Sequence, residues 1–143
     1  MSRRQILLFF VGGCLSLSLW GATAWDHEER FRLRKDQWQT VEIGALGKRH
    51  VLAFRWTLYD RAGLVMHVLY DGRPFQPVLF LKRGRDVFRL KLFARPDSEM
   101  PLPLPSPYAL LIFQSFNAKE RRAVIDLKVK TGGRSEINYV KGK

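Results

Sequence analysis

The 143-residue chain carries 25 lysines and arginines against 13 acidic residues, a formal net charge of +12. Its single cysteine is Cys14. Everything after the first two dozen residues is therefore without a disulfide, a thiol nucleophile or a Cys-ligated metal site.

Met1-Ser2-Arg3-Arg4 opens the chain with two positive charges, Ile6 to Trp20 is almost wholly apolar, and Gly21-Ala22-Thr23-Ala24 is small. This is the order of a secretory signal peptide. It predicts a leader over 1–24, cut after Ala24, and an exported, periplasmic or secreted protein. An uncut leader is the second reading. Ile6 to Ala24 holds no charge and could just span a bilayer, which needs about 20 apolar residues. Arg3 and Arg4 would then stay inside, and the domain would be anchored at the inner membrane facing the periplasm. The third reading is a lipoprotein, because Val11-Gly12-Gly13-Cys14 resembles a lipobox; the apolar stretch before Cys14 is short for one. The plain reading of Cys14 is a small apolar residue in a discarded segment.

About 119 residues follow Ala24, which is one domain with room for a core. Without Arg3 and Arg4, the only charges before Trp25, the basic count falls from 25 to 23 against 13 acidic, a net of +10. Such a surface favours anionic partners: phospholipid head groups, lipopolysaccharide, acidic glycans or an acidic protein. Nucleic acid suits the charge but not the compartment. A solvated surface with its excess spread evenly is the plain alternative.

The domain over 25–143 reads as strands, because its apolar pattern has period two nearly throughout. Phe31 and Leu33 alternate with Arg30, Arg32 and Arg34. Val41 and Ile43 form a second short run, and 44–49 reads as a turn. Leu52, Phe54, Trp56 and Leu58 make one apolar face. Residues 60–63 signal a hairpin. Leu64 to Tyr70 is apolar on both faces apart from His67, as in a central strand. Asp71-Gly72 is a turn pair, and Pro74 and Pro77 bracket a bend. Val78 to Leu81 and the run through Phe88, Leu90 and Leu92 look like a further hairpin about a basic turn.

Residues 95–107 then carry Pro96, Pro101, Pro103, Pro105 and Pro107, which favours an extended polyproline segment over a ladder. Such a segment can dock in aromatic grooves of a partner; as a stiff connector it supplies the long crossover of a Greek-key sandwich, the preferred reading. Ala109 to Phe116 and a run through Ala123, Ile125, Leu127 and Val129 return to strand. The polar tail 131–143 either adds an edge strand at Ile137 to Val140 or frays. The expectation is an all-β antiparallel β-sandwich of immunoglobulin-like type with seven or eight strands and Trp56 buried. A small β-barrel is the alternative.

Two constellations stand out. Lys82, Arg83 and Arg85 sit on a turn, with Arg89 and Lys91 on one side of the next strand: a candidate anion-binding group. Lys119, Arg121 and Arg122 form a second basic turn, and Arg30, Arg32 and Arg34 a row. The competing reading is a solvated face that protects an edge. Separately, cleavage after Ala24 would leave Trp25-Asp26-His27 at a free amino terminus. That resembles an amino-terminal Cu(II) or Ni(II) chelate, in which the amine, two amides and an imidazole close a square plane. An exposed histidine in a frayed terminus is the preferred reading of His27. No catalytic motif is present: there is no G-x-S-x-G, H-E-x-x-H or glycine-rich phosphate loop.

In composition and layout the chain resembles small exported proteins of Gram-negative bacteria. The sequence thus predicts a non-enzymatic binding or accessory protein, its partner an envelope protein, an anionic ligand or a membrane surface.

Overall fold

The computed structural model describes residues 25–45, 47–93, 107–131 and 135–140. The leader over 1–24 and most of the proline segment lie outside the described residues. The strands are β1 (His27–Arg34), β2 (Gln39–Ala45), β3 (Lys48–Asp60), β4 (Gly63–Tyr70), β5 (Arg73–Phe75), β6 (Val78–Leu79), β7 (Val87–Lys91), β8 (Tyr108–Asn117), β9 (Arg122–Lys130) and β10 (Ser135–Val140). They form two antiparallel sheets, one ordered β1-β9-β8-β7 and the other β10-β2-β3-β4-β5, with β6 also on β4. The fold is a β-sandwich. Short β5 and β6, together with β10, take the strand number past the seven or eight expected.

Alternation within each strand builds the core. Leu33, Ala109, Leu111, Phe113, Ala123, Ile125, Leu127 and Val129 point inward from the four-stranded sheet. Val41, Ile43, Leu52, Phe54, Trp56, Leu64, Met66 and Val68 meet them from the other. Interdigitated apolar faces of this kind hold a sandwich together. A buried polar contact joins the two sheets: the Trp56 indole N–H donates to the Leu33 carbonyl at 2.7 Å.

Turn chemistry matches local sequence where conformation is demanding. Asp71 and Gly72 have φ of 48° and 79°, the pair of left-handed residues that a two-residue type I′ hairpin needs. Gly63 has φ of +106°, and a Cβ there would stand 2.8 Å from Val78 Cγ1 and 2.9 Å from the Leu79 carbonyl oxygen. It lets β6 lie against the start of β4.

Several expectations are corrected. Val78 to Leu81 and the β7 run do not form a hairpin: β6 pairs with β4 in one sheet and β7 with β8 in the other. The basic turn between them is therefore a passage from one sheet to the other. Conversely, the proline segment is not a crossover between sheets. It joins β7 and β8, which are antiparallel neighbours, with Lys91 opposite Tyr108. The turn at 44–49 is narrower than expected, because Gly44 pairs with Arg49 and Ala45 with Lys48. Leu58 leaves the core face: a bulge between Trp56 and Leu58 shifts the register. It turns Leu58 out to 50% exposure and brings Tyr59 onto Phe113 and Phe116. Of the two readings of the tail the edge strand holds, and it is longer than Ile137 to Val140: Ser135–Val140 pairs with β2.

Trp56→Phe removes both the inter-sheet hydrogen bond and core volume, and should cost about 2–4 kcal/mol, read by urea unfolding. A second prediction concerns alkaline pH. Burial pushes the Tyr70 phenol up to about 12, opposed by the hydrogen bond from the Phe93 amide and reinforced by the Asp71 charge. The unfolded chain loses this proton near pH 10. The resulting stability is complete below pH 10 and is lost as pH rises toward 12, by on the order of 2 kcal/mol. Unfolding at pH 9 and pH 11.5 should show a smaller loss in Tyr70→Phe than in the wild type.

Candidate anion-binding face

Since Phe31 and Leu33 face the core, Arg30, Arg32 and Arg34 must face out. The same parity turns Arg122, Asp126, Lys128 and Lys130 outward on β9, and Val87, Arg89 and Lys91 outward on β7. Antiparallel pairing then aligns these rows across one sheet. Glu28, Lys128, Leu110 and Arg89 form one rung. Arg30, Asp126, Ile112 and Val87 form another, and Arg34 stands opposite Arg122. The outer face of the four-stranded sheet is thus cationic on three of its strands. Its outward carboxylates within the strands are Glu28 and Asp126.

Those two carboxylates are both engaged. Arg30 grips Asp126 with two hydrogen bonds, Nε to Oδ1 at 2.7 Å and an Nη to Oδ2 at 3.0 Å. That hydrogen bond and the Asp126 charge raise the pKa of the Arg30 guanidinium. Lys128 Nζ lies 3.7 Å from Glu28 Oε1.

One end of the face is aromatic as well as basic. Tyr108 lies between Lys91 and Lys130 on its rung, and the Arg89 guanidinium stacks 4.1 Å above its ring. Trp25 meets Tyr108 edge-on at 5.8 Å, and Lys128 Nζ is 5.5 Å from the Trp25 ring. The opposite end holds Arg32, Arg34 and Arg122.

The five cations singled out from sequence divide between two places. Arg89 and Lys91 belong to this face. Lys82, Arg83 and Arg85 are exposed on the inter-sheet turn, closed by the Phe80 amide to the Arg85 carbonyl and the Arg85 amide to the Lys82 carbonyl, each at 2.9 Å. The turn joins β7 at its Val87 end, whereas Lys91 ends the strand.

Trp25, Asp26 and His27 lie against the sheet. His27 opens β1 instead of fraying, and its Nε2 lies 3.3 Å from the Ser135 carbonyl oxygen. The Asp26 amide donates to the Val129 carbonyl at 2.9 Å, and the Asp26 carboxylate accepts from the Thr131 hydroxyl at 2.8 Å and from the Thr131 amide. A square-planar chelate of Trp25, Asp26 and His27 would require the Asp26 amide to give up its strand partner.

A further arrangement was not visible in sequence. His50 Nδ1 donates to Asp71 Oδ2 at 2.6 Å, while Asp71 Oδ1 accepts the Val51 amide at 2.8 Å. The imidazole also packs against Tyr70 and Phe93. The pair ties β3 to the β4–β5 turn; residues 21 apart in the chain offer no local signal for it.

No family model matches this chain, and neither does any curated protein or solved structure.

Asp71→Ala should lower stability by about 1–2 kcal/mol, since it removes both acceptors and puts alanine at a left-handed position. Asp71→Asn keeps an oxygen for the Val51 amide and tolerates that backbone. It should lose less than half as much by thermal unfolding.

Proposed function

We propose that this protein is a non-enzymatic binding or accessory component of the cell envelope, which holds an anionic partner against the outer face of its four-stranded sheet. The observation that carries this reading is the convergence of basic rows from β1, β9 and β7 on one face, with Glu28 and Asp126 already paired. A row of like charges on a strand face costs stability unless solvent or a partner compensates. The face is broad and shallow, so it suits an extended anion such as an acidic glycan or a head-group layer better than a small enclosed ligand. The leader-like sequence before Trp25 supports an exported, periplasmic setting for it.

The anchored alternative draws on a specific contact. Trp25, the residue that follows the apolar stretch, rests on Tyr108 at the lysine-rich end of the face. An uncut leader would hold that end near lipid head groups, where tryptophan and tyrosine beside basic residues are favoured.

Reversing Arg89 and Lys128 together to glutamate should weaken binding to heparin and to phosphatidylglycerol-rich vesicles about tenfold or more at moderate salt, and flatten the salt dependence. Reversing Lys82, Arg83 and Arg85 on the turn should weaken it less. Equal retention of the wild type and the Arg89/Lys128 variant across a salt gradient would refute the assignment of the face.

A further inference from the structure

At the end of the face away from Trp25, the sheet sets two guanidinium groups against each other. Arg34 on β1 and Arg122 on β9 are direct cross-strand partners, and Arg32 projects from the same side one rung away. Like charges placed directly opposite in an antiparallel pair repel. They line a cleft of about 480 Å³ with Lys35, Asp36 and Gln37. Asp36 is the carboxylate in its wall, set against four cations. Among the described residues no carboxylate lies within ion-pair distance of Arg32, Arg34 or Lys35, and Glu120 Oε2 stands 3.9 Å from Arg122 Nε. That Nε is closed off from solvent and has no hydrogen-bond partner among the described residues.

The cleft is held in shape by its own backbone. Gln37 Oε1 accepts the Arg34 amide at 3.0 Å, and the Gln37 amide returns to the Arg34 carbonyl at 3.1 Å. The Asp36 amide donates to the Trp56 carbonyl at 2.9 Å, tying the turn to the opposite sheet. The cations are therefore gathered on a braced turn and two paired strands.

We infer that this cleft is a binding site for a phosphate monoester, with Arg32, Arg34 and Arg122 as its ligands and Lys35 as an added point charge. The inference rests on the reading of the basic face and names the anion at one end of it. Guanidinium groups bind phosphate oxygens through paired N–H donors, and a monoester brings close to two negative charges at neutral pH. That charge offsets the Arg34–Arg122 repulsion. A free phosphate and a lipid phosphomonoester share this chemistry.

The test is thermal unfolding of the purified protein in sodium phosphate and in sodium chloride of matched ionic strength. The wild type should gain stability in proportion to the logarithm of phosphate concentration above Kd, with a Tm rise of about 10 °C at one hundred times Kd. Arg34→Gln should lose that rise and should melt no lower than the wild type in chloride, because it relieves the repulsion. Arg32→Gln serves as the second variant if Arg34→Gln does not fold. A parallel arm compares vesicles containing phosphatidic acid, a monoester, with vesicles containing phosphatidylglycerol, a diester. Arg34-dependent preference for phosphatidic acid without a response to inorganic phosphate assigns a lipid source, and a response to inorganic phosphate assigns a free one. No phosphate effect beyond chloride together with no preference for phosphatidic acid overturns the site, as does an equal phosphate response in the wild type and both variants. The Arg89/Lys128 reversal should keep the phosphate response while losing heparin. Heparin binding that survives in a protein without either phosphate effect would defeat this site alone.

Discussion

The pairing of β1 with β9 governs both surfaces of the four-stranded sheet. It joins residues about a hundred positions apart, His27 to Val129 through Arg34 to Arg122. In one stroke it sets Phe31 and Leu33 beside Ile125 and Ala123 in the core, and Arg30, Arg32 and Arg34 beside Asp126, Val124 and Arg122 outside. Since side chains alternate strictly, a slip of one residue would bury the arginines and expose the apolar set. The cost of an arginine in the core is far larger than that of repulsion on a wet surface. The core therefore dictates the register, and the cationic face is its consequence.

That hierarchy accounts for the conflict at the Arg34–Arg122 rung. Neither strand can turn its arginine to the other face of the sheet without losing Leu33 or Ala123 from the interior. The Arg30–Asp126 rung shows the alternative outcome of the same geometry: an acidic residue on the facing strand turns opposition into a bidentate ion pair. The face is thus uneven, with a bidentate pair at its middle and an excess of cations over carboxylates at both ends.

The chain passes from one sheet to the other at the basic residues 80–86, whereas the strands that flank the proline segment, β7 and β8, are neighbours in one sheet. Length and stiffness suggest a crossover for the prolines, and hydrophobic alternation on both sides of 82–85 suggests a hairpin. Both inferences use local information. Which strands become neighbours depends on how the two apolar faces are best matched, and that match involves Phe88 against Phe75 across the core as much as any turn. The bulge after Trp56 has the same character. Tyr59 packs onto Phe113 and Phe116 from the other sheet, and Leu58 is displaced to solvent.

Period-two alternation and turn residues were enough to recover the all-β class, most strands, the inward set including Trp56, the Asp71-Gly72 turn and the outward arginine row of β1, because each depends on residues within a few positions of one another. The gathering of that row with Arg122, Lys128, Lys130, Arg89 and Lys91 had no local signature. Nor did the separation of the Lys82–Arg85 turn from Lys91, or the His50–Asp71 pair. These arise from strand order and register, which are set by long-range burial of the two sheet faces against each other. Composition could foresee that the surface would be positive; only the packed sandwich determines which positive charges stand together.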